Sequence, residues 1–191
     1  MDMGGLIFWG AVVIAVIYAI TLYNGLVSLK HAVAKHLANI DVLLKQRHDE
    51  LPKLVETCKQ YMGYEQQTLE NVIAARNRVA QAQSNGNIKA LGQAETGLRA
   101  GLGQLFALAE NYPELKADQS FNHLQQRITG LENAIADRRE IYNEAVNNNN
   151  VRIEQFPDTL IASVFKFKRF ELLEFSEQQT ADVDVKSLFN Q

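Results

Sequence analysis

GGLIFWGAVVIAVIYAITLYNGLVSL, residues 4–29, holds no charged side chain and is followed at once by Lys30 and His31. Wound as an α-helix, the stretch reaches about 39 Å, more than the roughly 30 Å of hydrocarbon in a bilayer. A secretion signal would need a basic leading region, a shorter apolar run and a small-residue cleavage site. Here only the terminal amine and Asp2 are ionisable ahead of the run, so it is expected to be retained. A helix apolar on every side also needs equally apolar neighbours if it is to be buried in a soluble core, and the rest of the chain has too few such segments to supply them. The stretch is therefore expected to form a single membrane anchor, with residues 6–22 as the membrane portion.

The flanks suggest an orientation. No Lys or Arg precedes the apolar run, whereas Lys30, Lys35, Lys45 and Arg47 follow it closely. Basic residues concentrate on the cytoplasmic side, which favours a cytoplasmic body behind a short outer N-terminus. Trp9, Tyr18 and Tyr23 suit aromatic positions at the two interfaces and suit equally well as lipid-facing filler, while Lys30 is placed for contact with headgroups.

Behind residues 1–29 about 160 residues remain, enough for one hydrophobic core and too few for two. The net charge of the chain is −3 and mixed along its length, so no broad basic face points to nucleic acid. The single cysteine, Cys58, excludes an internal disulfide and falls in register with Leu51, Leu54, Val55, Tyr61 and Met62 as a small apolar residue.

Hydrophobic spacing outlines the rest. Leu26, Leu29, Val33, Leu37, Ile40 and Leu44 recur at three and four residues, which predicts that the spanning helix continues into the body as one rigid piece. A break is predicted over residues 47–52, where Asp49 can cap and Pro52 is tolerated in a first turn. Leu51, Leu54, Cys58, Tyr61, Glu65, Leu69, Val72, Arg76 and Val79 make a second stripe that ends at the turn residues 84–87. A third helix carries Leu91, Leu98, Leu102 and Leu105 and stops at Asn111-Tyr112-Pro113. A fourth carries Phe121, Leu124, Ile128, Leu131, Ile135, Tyr142 and Val146 up to the asparagine run at residues 147–150. The expected fold is all-α: one transmembrane helix continuing into an elongated antiparallel helical bundle over residues 30–156.

Residues 157–191 differ from the body. A short amphipathic stretch contains VFKFKRF, and the end of the chain is polar enough to be mobile. Phe165, Phe167 and Lys168 invite two readings. They seat in an anionic lipid interface, or the rings close the open end of the bundle while the basic groups stay solvated; the second is the favoured reading.

Ordered matches carry a family resemblance. They include Tyr23-Asn24-Gly25-Leu26-Val27, then residues 40–47 (IDVLLKQR) leading to Leu51-Pro52-Lys53-Leu54-Val55, then Ala75-Arg76 and Tyr112-Pro113-Glu114-Leu115-Lys116-Ala117. Leu131-Glu132-Asn133, Arg139, Tyr142-Asn143 and residues 153–157 complete them. In these the chain resembles the LemA family over nearly its whole length. The resemblance implies a bacterial membrane protein with one N-terminal helix and an antiparallel helical domain, and it implies no established enzymatic activity. The chain departs from the family at Asn149-Asn150, where relatives often carry a tyrosine.

Chemical motifs are sparse. His31 and His36 are five apart and so fall on different helix faces, while His48 and His123 have no Cys or His close in sequence. No phosphate loop, nucleophile elbow or Cys-His signature is present, and no enzyme, cofactor or metal is expected. Glu65 and Arg76 sit on an apolar stripe and need partners, for which Glu132 and Arg139 are candidates; such ion pairs would fix the register of the bundle. Gly92, Gly97 and Gly101 each cost up to about 1 kcal/mol in a helix interior, which suggests close approach of a neighbouring helix or of another subunit. Taken together, these features suggest a noncatalytic scaffold at the bacterial inner membrane that contacts lipid and self-associates or presents faces to a protein partner. The alternative is a sensor or ligand-binding bundle.

Overall fold

The computed structural model describes residues 3–175. Among these residues the chain is all-α, with six helices and no strand: α1 (Met3–Tyr61), α2 (Gln66–Ser84), α3 (Ile88–Ala109), α4 (Pro113–Ala117), α5 (Gln119–Glu154) and α6 (Asp158–Val164). The tail expected to be mobile, residues 176–191, lies outside the described residues.

The helices follow the apolar stripes, but two boundaries differ from expectation. The break predicted at residues 47–52 does not occur, and α1 runs through Pro52 to Tyr61. Proline has no N–H to offer the carbonyl four residues earlier, here that of His48. That carbonyl instead accepts a hydrogen bond from Arg76 Nε on α2 at 2.9 Å, so the lost helical bond is replaced by a tertiary one. The chain turns later, around Gly63, where Met62 N–H bonds the Cys58 carbonyl at 2.8 Å and Glu65 N–H bonds the Met62 carbonyl at 3.1 Å. The second difference is the asparagine run, which does not end α5. Asn150 Nδ2 donates to the Phe170 carbonyl and Asn150 Oδ1 accepts from Phe170 N–H, both at 2.9 Å, so this side chain is held without competing for the helix backbone.

Other boundaries are set locally. Gly86 takes φ +63° between α2 and α3, a conformation that L side chains rarely adopt, and Asn87 caps α3 by accepting from Ala90 N–H at 2.9 Å. Pro113 opens α4, where its missing N–H costs nothing, and Asp118 accepts from Phe121 N–H at 2.8 Å at the start of α5.

The chain divides into two compact units, residues 3–45 with Asn133–Leu172, and Gln46–Glu132 with residues 173–175. In the first, α1 contributes Leu26, Val33, Ile40 and Leu44 to the buried core, α5 contributes Ile135, Tyr142, Val146 and Ile153, and α6 adds Ala162. Residues 6–20 of this unit, by contrast, carry exposed apolar side chains, among them Ile7, Phe8, Trp9 and Ile14. Among the described residues α1 is the one helix long and apolar enough to cross a membrane. In the second unit Leu51, Leu54 and Cys58 of α1 share a core with the leucine stripe of α3, with Leu69 and Val72 of α2 and with Phe121 and Ile128 of α5. Arg127 of α5 reaches Glu50 at 3.0 Å and Tyr61 donates to Asp118 at 3.1 Å, so α1 and α5 run antiparallel within this unit.

Candidate functional site

Just beyond the apolar end of α1, the first unit gathers an aromatic and basic cluster. The Tyr23 ring lies 4.7 Å from that of Phe165 and 5.9 Å from that of Phe167. The end of α6 brings these rings into place. Phe165 N–H bonds the Ile161 carbonyl at 3.0 Å, Phe167 N–H bonds the Ala162 carbonyl at 2.9 Å, and Lys166 between them takes φ +55°. Glycine is the usual residue at such a left-handed helix end, and a side chain there costs about 1–2 kcal/mol. Phe167 packs on the cluster formed by Leu26, Ile153 and Ala162. Phe165 remains 56% exposed. Between these rings and α1 lies a cavity of ≈ 550 Å³ whose basic lining comes from Lys30, His31, Lys166 and Lys168.

The folded chain thus brings Tyr23, Lys30, Phe165, Phe167 and Lys168 together. Trp9 and Tyr18 stand apart from them on the exposed apolar part of α1, the Trp9 ring edge-on to Phe8 at 5.9 Å. The segment after α6 is fixed from below by Tyr142, whose hydroxyl donates to the Glu171 carbonyl at 2.9 Å. Burial pushes the Tyr142 phenol up to about 12, with the Glu171 carboxylate adding to the effect.

In the second unit the buried charge is a network around Arg47, which is 1% exposed. Its Nη2 pairs with Glu95 of α3 and its Nη1 with Glu132 of α5. Arg99 Nε joins the other Glu132 oxygen at 3.1 Å. Burial pushes the Glu95 carboxyl above the usual carboxylate range, against the lowering pull of Arg47. Arg47 Nε is buried without a hydrogen-bond partner among the described residues. Three helices meet at one guanidinium, an arrangement that punishes any slip in register.

The partners differ from those expected. Glu132 is held by Arg47 and Arg99, Arg76 serves the His48 carbonyl, and Glu65 accepts from the Tyr112 hydroxyl at 3.4 Å. Arg139 lies half-buried on the part of α5 that belongs to the first unit. Sequence reasoning missed Arg47 and Glu95, although both sit on their apolar stripes. Arg47 falls between Leu44 and Leu51, and Glu95 between Leu91 and Leu98, the same signal that singled out Glu65 and Arg76.

The α3 glycines divide by surroundings. A Cβ at Gly92 would come within 2.0 Å of the Glu174 carbonyl oxygen, so this glycine admits the chain's own backbone. A Cβ at Gly101 would meet Val72 Cγ2 at an ordinary 3.8 Å, and one at Gly97 would meet nothing within 4 Å. Gly97 and Gly101, with Ala74, Ala94 and Ala100, line an open groove of ≈ 610 Å³ between α2 and α3.

The magnetosome proteins MamQ 2 and MamQ 1 of Paramagnetospirillum magneticum are each 25% identical to the chain over 186 residues, covering 85% of it and 68% of their own length. MamQ of Magnetospirillum gryphiswaldense is 24% identical over the same length and with the same coverage. The model of the LemA family matches residues 36–187. All-α, with one helix able to cross a membrane and a family match over most of its length, the chain belongs to the LemA family.

Proposed function

We propose that this LemA protein is a membrane-anchored, noncatalytic helical scaffold at the bacterial inner membrane, with its body on the cytoplasmic side, that acts by self-association or by presenting helix faces to a partner protein. The observation that carries the reading is the apolar end of α1, whose side chains stand exposed over residues 6–20 and need lipid to cover them. Lys30, Lys35 and Lys45 follow that end and favour the cytoplasmic placement of the body. The buried groups with shifted titration, Arg47, Glu95 and Cys58, are occupied in packing or in mutual pairing, which supports a structural role over a chemical one.

For self-association we assign the small-residue groove between α2 and α3. Gly97 and Gly101 put no side chain into it, so that a helix of a second copy approaches closely, whereas Gly92 is used inside the chain. Light scattering on protein extracted in mild detergent tests this. Particles larger than one chain are expected for the wild type, with a shift toward the monomer for Gly97→Leu. A wild-type monomer at every concentration would contradict self-association.

A further inference from the structure

We propose that the cavity beside Tyr23 is a binding site for the phosphate of an anionic lipid headgroup. The inference rests on the reading that α1 spans a membrane. Tyr23, Val27, Lys30 and His31 follow one another on a single face of α1, at steps of four, three and one. Lys30 lies about 10 Å along the axis beyond Tyr23, within reach of the headgroup layer outside the hydrocarbon. Side chains on a helix lean toward its N-terminus, which for Lys30 is the membrane side, so the ammonium is carried back toward the lipid surface.

The second wall comes from the turn after α6, which adds Lys166 and Lys168. The neighbouring arginines are already neutralised, Arg152 by Asp158 at 2.7 Å and Arg169 by Glu154 at 2.8 Å. Lys30, Lys166 and Lys168 pair with no carboxylate among the described residues, so three lysines line one cavity with no described anion to balance them. A free phosphate would satisfy that charge as well, and the apolar surroundings decide between the two sources. Leu160, Val164 and Phe165 are exposed on α6 and its end, while Ile161 and Ala162 on the same helix pack into the core beside Leu26. Acyl chains, and no soluble phosphate, cover those side chains. Lys166, in the second wall, holds a left-handed conformation, and there a glycine would supply the turn but no charge.

The test is native mass spectrometry of the full chain in mild detergent, offered equal amounts of phosphatidylglycerol and phosphatidylcholine. The wild type is expected to retain phosphatidylglycerol preferentially. Removing one lysine by Lys30→Gln or Lys168→Gln should lower that preference about fivefold, and removing all three should lower it on the order of a hundredfold. Lys166→Gly separates binding from folding, because it relieves the backbone and should raise thermal stability while still lowering the preference. Equal retention of the two lipids by the wild type, or an unchanged preference in the triple variant, would overturn the assignment. Displacement of the lipid by millimolar glycerol 3-phosphate would mark a site for soluble phosphate and overturn it too. Flotation with vesicles of phosphatidylcholine alone distinguishes failure here from failure of the anchor, since a chain that lacks only the headgroup site still floats.

Discussion

Arg76 Nε lies 2.9 Å from the carbonyl oxygen of His48, the residue four positions before Pro52. A proline in the middle of a helix normally costs about 3 kcal/mol, partly through the carbonyl it leaves without a partner. Here a charged donor from α2 takes the place of the absent N–H. Arg76→Ala should therefore destabilise the protein by about 1.5–3 kcal/mol. In a Pro52→Ala background the backbone bond is restored and the cost should fall below about 1 kcal/mol, a coupling that chemical denaturation of the four proteins measures as a double-mutant cycle.

The Arg47 network behaves differently, because its cost lies in what remains after a deletion. Arg47→Ala leaves Glu95 buried without the cation that hydrogen-bonds it and should cost about 3–5 kcal/mol. Replacing Arg47 and Glu95 together with leucine, while Arg99 still holds Glu132, should recover most of that loss. Urea denaturation of the single and double variants reads the difference.

Much of the fold is legible because apolar residues at three and four spacings mark the buried faces, and Leu91, Leu98, Leu102, Leu105 and Ala109 are all buried as that spacing predicts. The misread boundary at residues 47–52 shows where local pattern fails. Pro52 reads as a breaker, and its compensation comes from Arg76, 28 residues from His48 in the chain. The true turn carried a weaker local mark, Gly63, inside a stripe that otherwise looked continuous. The asparagine run misled for the same reason, since its partners lie around Lys168 and Phe170. The basic and aromatic residues of the cavity were each visible, but their meeting depends on the Lys166 turn, which no spacing rule foretells.

The α3 glycines make opposite predictions. Gly92→Ala places a methyl against the Glu174 carbonyl and should displace the segment that buries Leu173, lowering the melting temperature. Gly97→Ala meets nothing within its own chain and should stabilise the monomer by about 0.5–1 kcal/mol through helix propensity. Thermal melts followed by circular dichroism distinguish the two.

Acid should weaken the second unit through Asp118. The Phe121 N–H holds this carboxylate below its ordinary range, with the Tyr61 hydroxyl helping. A depressed folded value contributes stability that is complete above the ordinary carboxylate range and is lost as pH falls through the folded value. Asp118→Asn keeps the cap but not the charge, so its stability should differ from wild type at neutral pH and converge with it in acid. Glu95, raised by burial, acts with the opposite sign, and its contribution is lost as pH rises through its folded value. Denaturation midpoints across the acidic range check both.

Alkaline carbonate extraction of membranes that carry the full chain tests the anchor most directly. Retention in the pellet, with residues 4–29 still present by mass spectrometry, is the expected result. Release into the supernatant, or a mature chain that begins after Ala19, would contradict it.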